Sequence, residues 1–130
     1  MTISAEAVQQ VTAWKNVELQ LYCMQLVRVG LFLLSHGVPY FGSDDVTEEH
    51  QPAGHAIPGC AISVLRAAHV ISDYFGNHPE DRIFNGRRMS KRPLANGRKV
   101  ALFQLTNRGM AEEFLRRNQI PFEPQQLELF

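Results

Sequence analysis

A chain of 130 residues, 45% apolar and 20% charged, can bury one domain's core, and its composition excludes the disordered, fibrous and disulfide-stapled classes. Thirteen Lys and Arg balance thirteen Asp and Glu, so bulk charge gives no argument for a polyanionic partner. Cys23 and Cys60 stand in apolar surroundings without a disulfide or metal spacing, and Met-Thr-Ile-Ser-Ala-Glu lacks a signal-peptide pattern; a reducing, cytoplasmic setting is the expectation.

Ser4 can cap a helix that reaches about Ser35, with Val8, Val11 and Trp14 at helical spacing. From Leu19 to Leu34 the helix is apolar nearly all round. Gln20, Gln25 and Arg28 interrupt it, and the stretch reads as a buried helix, too short and too polar to span a bilayer. Such a helix needs cover on more than one side. It is either the centre of a monomeric bundle or a contact with a second subunit, which makes residues 1–35 a candidate dimerisation segment. His36-Gly37-Val38-Pro39 ends it, and Tyr40-Phe41 suits a short strand. Ser43 then reads as the N-cap of a short helix from Asp44 to about His50, followed by a loop to Ile57. Pro58 fits the first turn of a helix to about His69, with Ala61, Val64, Leu65 and Ala68 inward. Val70 and Ile71 continue the core, and Asp73 to Glu80 is a turn or loop.

The balance of charge is uneven along the chain. Residues 1–81 carry three basic residues against nine acids, and residues 82–130 carry ten against four. Seven of those ten lie between Arg82 and Lys99, where there is no acid. Arg82 to Arg92 is weakly strand-like, Asn96-Gly97 is a hairpin-turn signal, and Lys99 to Leu105 alternates as the returning strand. Its expected faces are Val100, Leu102 and Gln104 on one side and Ala101, Phe103 and Leu105 on the other. Thr106 caps a last helix to about Asn118, with Met110, Phe114 and Leu115 inward, and residues 119–130 form an extended tail with Pro121 and Pro124.

The order helix, short strand, helix, helix, hairpin, helix is mainly α with a small β-hairpin. It resembles the winged helix-turn-helix superfamily over roughly residues 25–117. Leu105-Thr106-Asn107-Arg108-Gly109 is similar to the Leu-Thr-x-x-Gly step by which many winged-helix regulators pass from the second wing strand into a C-terminal helix, with Gly109 permitting close packing. The resemblance makes 36–118 the winged-helix domain and implies a DNA-binding protein rather than an enzyme, without a cofactor. It makes Pro58 to His69 the recognition helix, preceded by His55, with Gly59, Ile62, Ser63, Arg66 and His69 toward the groove. Only Arg66 is a good bidentate reader of guanine, and a surface pairing of Arg66 with an acid is an equal alternative. Most contacts would therefore be to phosphate, from Arg87, Arg88, Lys91, Arg92, Arg98 and Lys99. Four such contacts give a log-log salt slope of roughly −3.6.

The tail carries the sharpest motif. Gln126-Leu127-Glu128-Leu129-Phe130 resembles Gln-Leu-(Ser or Asp)-Leu-Phe, the pentapeptide with which bacterial replication and repair proteins bind the DNA polymerase sliding clamp. The resemblance implies that Gln126, Leu127, Leu129 and Phe130 dock on the clamp, as in an accessory replication or regulatory factor of a bacterium, phage or mobile element. The alternative is that these apolar residues fold back on the domain or a second subunit.

Two rival readings stand beside DNA binding. One is a winged-helix protein-interaction module, supported by the small number of base-reading residues. The other is a metal-dependent nuclease, resting on Asp44, Asp45, Glu48, Glu49 and His50, for which a solvated acidic first turn is the simpler account. His50, His55, His69, Cys23 and Cys60 show no zinc spacing, and no Ser-His-Asp, phosphate-loop or dinucleotide motif is present.

Overall fold

The computed structural model describes residues 17–52, 56–92 and 97–118. Among the described residues three helices carry the mass: α1 (Val17–Ser35), α2 (Ile57–Ala67) and α3 (Arg108–Arg117). Four short strands accompany them: β1 (Ile71–Asp73), β2 (Arg87–Met89), β3 (Lys99–Ala101) and β4 (Phe103–Leu105). The described fold is thus mixed, with helices and small antiparallel strand pairs, rather than mainly α with a single hairpin. The expected helix before Val17 and the tail after Asn118 lie outside the described residues.

The pattern of α1 explains its place. Tyr22, Cys23, Met24, Leu26 and Val27 are all buried, on more than one side of the helix. Tyr22, Cys23, Leu26 and Val27 share one core cluster with Ala61, Leu65 and Ala68 from α2 and its C-terminal end, Met110, Ala111 and Phe114 from α3, and Phe41, Val70, Ile71 and Phe103. With this set removed from water, the helices have a reason to pack that propensity alone does not supply. The polar interruption at Gln20 is satisfied inside the fold. Its Nε2 donates to the Asn118 carbonyl at 2.9 Å, tying the start of α1 to the end of α3. Burial also pushes the Tyr22 hydroxyl up to about 12, so it stays neutral.

The expectation that this stretch is too short and too polar to cross a membrane is corrected. At 19 residues, with a mean hydropathy of 1.4, α1 meets the length and composition of a span. Its apolar residues nevertheless carry the protein core, which accounts for that hydropathy.

Other boundaries shift for local reasons. Gly37, at φ 82°, closes α1 as expected, with Val38 N–H donating to Leu33 O at 2.8 Å. The expected helix from Asp44 to His50 is instead two 3-10 turns, Ser43–Asp45 and Glu48–His50. Asp45 Oδ2 accepts the Gly42 amide at 2.8 Å, and the Gln51 side chain donates to the Ser43 and Val46 carbonyls at 3.1 and 2.8 Å. These local bonds satisfy the backbone in place of a continuing helix. Asn107 caps α3 rather than Thr106, accepting the Met110 amide at 2.8 Å. Gly109 is exposed and permits no close packing: the nearest atom to a Cβ there is Asn107 Oδ1 at 3.4 Å. Cys60 is exposed rather than enclosed by apolar neighbours, and both thiols are free.

The strands form two pairs. β1 runs antiparallel to β4 with Ile71 opposite Leu105, and Phe41 bridges Phe103 on the other side of β4. β2 runs antiparallel to β3 with Arg87 opposite Ala101, Arg88 opposite Val100 and Met89 opposite Lys99. Between β3 and β4 the expected alternation breaks, because Leu102 and Phe103 are both buried. Leu102 bonds to Gly86 and Tyr74, whereas Phe103 bonds to Phe41. The chain changes partners there, so one uninterrupted two-face pattern from Lys99 to Leu105 does not hold. Asp73 to Glu80 is not plain loop either: Asp73 ends β1, and Pro79–Asp81 is a 3-10 turn.

Candidate nucleic-acid interface

The β2–β3 ribbon sorts its side chains by pleat. Residues along a strand alternate faces, and cross-strand partners share one. Arg87, Met89, Lys99 and Ala101 are all exposed, while Arg88 and Val100 are partly covered. The ribbon therefore has an outward face carrying Arg87 and Lys99, and an inward face carrying Arg88.

The inward face is an ion-pair lock. Arg88 donates from Nη2 to Asp44 Oδ1 at 2.9 Å and to Asp45 Oδ2 at 2.8 Å, and from Nε to Asp44 Oδ2 at 3.2 Å. Its side chain is 10% exposed, against 1% for Asp44 and 6% for Asp45. The Lys91 amide donates to Asp44 at 3.1 Å and its ammonium to Asp45 at 2.6 Å. Burial opposes the charge on Arg88, but the two carboxylates raise its affinity for the proton above the ordinary value. Burial likewise works to raise the Asp45 carboxyl, yet Lys91, the Gly42 amide and Arg88 together hold it below the ordinary aspartate range.

This arrangement changes the roles open to several residues. Arg88 is occupied inside the fold and is not placed to meet a phosphate. Lys91 keeps a 58% exposed side chain but already neutralises Asp45. Asp44 and Asp45 face cationic groups of the same chain, which leaves the pair little charge for a divalent ion. Among the described residues, no group of three or more His, Cys, Asp or Glu is placed to hold a metal.

The outward face is different. Arg87, Arg98 and Lys99 are exposed and make no ion pair among the described residues. Arg87 and Lys99 are diagonal neighbours across the ribbon, a relation that sets Cα atoms about 7–8 Å apart. Arg98 holds the ribbon through its backbone, its carbonyl accepting Ser90 N–H at 2.9 Å, which leaves the guanidinium outside. Arg92 is partly covered, and its amide donates to Ser90 Oγ at 3.1 Å.

On α2 the outward positions are Gly59, Cys60, Ser63, Arg66 and Ala67; Ile62 is half-buried. Arg66 pairs with Asp73 at 2.8 Å, with both side chains about half exposed, and its guanidinium lies 5.8 Å from the Phe103 ring centre. The surface-pairing alternative for Arg66 is therefore the arrangement found. His69, at φ 60°, ends the helix in a left-handed conformation and is exposed. His55 and the clamp-like residues Gln126, Leu127, Leu129 and Phe130 lie outside the described residues.

Sequence reasoning missed the Arg88–Asp44–Asp45 lock and the turn at Asn85-Gly86. The turn had a visible signal, since Asn-Gly occurs there as well as at Asn96-Gly97. No family model, curated protein or solved structure matches the chain.

Proposed function

We propose that this chain is a winged helix-turn-helix DNA-binding protein whose β2–β3 ribbon rests on the phosphate backbone. The observation that carries the reading is the sorting of cations on the ribbon: Arg88 anchors it, and Arg87, Lys99 and the neighbouring Arg98 point away from the body. The order of elements supports it in part, with two 3-10 turns standing where a helix was expected. α1 is followed by the Phe41 bridge, the two 3-10 turns, α2, β1, the ribbon, β4 and α3.

In this reading the ribbon supplies electrostatic attachment and α2 supplies little base readout. Phosphate contacts position a protein without reading sequence, so affinity is expected to vary little between duplexes of different sequence. The tail motif Gln126-Leu127-Glu128-Leu129-Phe130 then tethers the protein to the sliding clamp, and two weak attachments reinforce each other through effective concentration.

The test is a mobility-shift assay with Arg87→Glu/Lys99→Glu. The expected result is loss of the duplex shift with an unchanged melting temperature. Unchanged binding removes the ribbon from the interface. For the tail, deleting residues 126–130 should abolish capture on immobilised clamp, and equal capture ends that part of the proposal. The thin outward face of α2 favours one rival, a protein-interaction module. That reading gains if the parent chain shifts no duplex at low salt.

A further inference from the structure

Residues 74–87 are braced from two sides. The Tyr74 ring stacks on His78 with centroids 6.0 Å apart, its hydroxyl lies 2.6 Å from His78 Nε2, and Tyr40 sits 5.1 Å from both rings. On the other side, the Gly86 amide donates to Gly76 O at 2.9 Å and the Asn85 amide to Asn77 Oδ1 at 2.7 Å. Asn85 and Gly86 have φ of 53° and 71°, the two positive values that a tight two-residue hairpin turn requires. A Cβ at Gly86 would fall 1.7 Å from the Tyr74 carbonyl oxygen, so the turn lies directly on the segment before it.

This rigid frame leaves two large rings in water. Phe84 is 57% exposed and Phe75 is 67% exposed, and neither serves the core. Phe84 faces Arg87 across the turn, joined by paired backbone bonds of 3.0 and 3.1 Å. Cross-strand partners share a face, so Phe84 stands at one end of the outward stripe of Arg87, Met89 and Lys99. No acid occurs between Arg82 and Lys99. Phe75 is close by, its Cα 3.1 Å from where a Gly86 Cβ would sit.

We propose that Phe84 is a stacking site for an unpaired nucleic-acid base, and that Arg87 and Lys99 hold the adjoining phosphates. This rests on the DNA-binding reading above and adds to it a preference for unpaired segments. A phenyl ring carries no donor or acceptor, so it accepts any base by its face. A duplex keeps its bases stacked on one another and offers Phe84 none. The cations beside the ring supply the backbone attachment that stacking sites on single strands use.

The experiment measures fluorescence anisotropy of a labelled short oligothymidine and of a labelled duplex, with the full chain and with Phe84→Ala and Phe84→Trp. Phe84→Ala is expected to weaken oligothymidine binding by about 5- to 150-fold. Phe84→Trp should retain it, and neither variant should alter duplex binding or melting temperature. Equal weakening of both ligands by Phe84→Ala, or no weakening of either, overturns the stacking site while the DNA-binding reading stands. If the parent chain binds neither ligand at low salt, both fall.

Discussion

Arg87 and Arg88 are neighbours of the same type on one strand, and the fold gives them opposite tasks. Arg88 turns inward to two carboxylates 43 and 44 residues away in the chain, and Arg87 turns outward to water. The lesson is physical. A pleated ribbon separates adjacent charges by face, so a run of cations is not a count of cations available to a partner. The inward member fixes where the ribbon sits, and only the outward members can change their affinity for something outside.

The contrast is sharpest in stability. Arg88→Ala leaves Asp44 and Asp45 buried with only Lys91 to compensate, and it should cost about 3–5 kcal/mol by denaturant unfolding. Arg87→Ala, at an exposed site, should change stability by less than about 0.5 kcal/mol. Equal costs would break the comparison. Gly86→Ala tests the turn that begins the ribbon. The left-handed backbone and the clash with Tyr74 should together cost about 2–4 kcal/mol in the same measurement.

Acid should weaken the fold through the inward face. The folded Asp45 carboxyl is held below its unfolded value of about 4, so its contribution is present above that pH. It is lost as pH falls through the folded value. Unfolding free energy should therefore decline below about pH 4, and Asp45→Asn should flatten that decline. A small effect of opposite sign lies away from the ribbon. Gly109→Ala meets no close contact and needs no positive φ, so it should stabilise α3 by about 0.5–1 kcal/mol and raise the melting temperature.

Much of the frame is legible in the residues. Gly37 marks the end of α1, Pro58 the first turn of α2, and Met110 and Phe114 the inward face of α3, because caps and 3.6-residue periodicity are local. The 3-10 turns after Gly42 were not legible, since they depend on side chains that bond to nearby backbone rather than on propensity. The site was legible only as a basic stretch. Which of its cations remain outside depends on ribbon register and on Asp44 and Asp45, distant in sequence, and neither leaves a local trace. Phe84 and Phe75 escaped notice for a similar reason. An aromatic residue in a sequence reads as core until the fold shows it in water.

The central claim is that the outward cations of the ribbon meet DNA phosphates. Its most direct test is the salt dependence of duplex binding for the parent chain and for Arg87→Ala/Lys99→Ala. Three phosphate contacts, from Arg87, Arg98 and Lys99, predict a log-log slope of about −2.7, falling to about −0.9 in the double variant. A slope that stays the same in the two proteins would contradict the account.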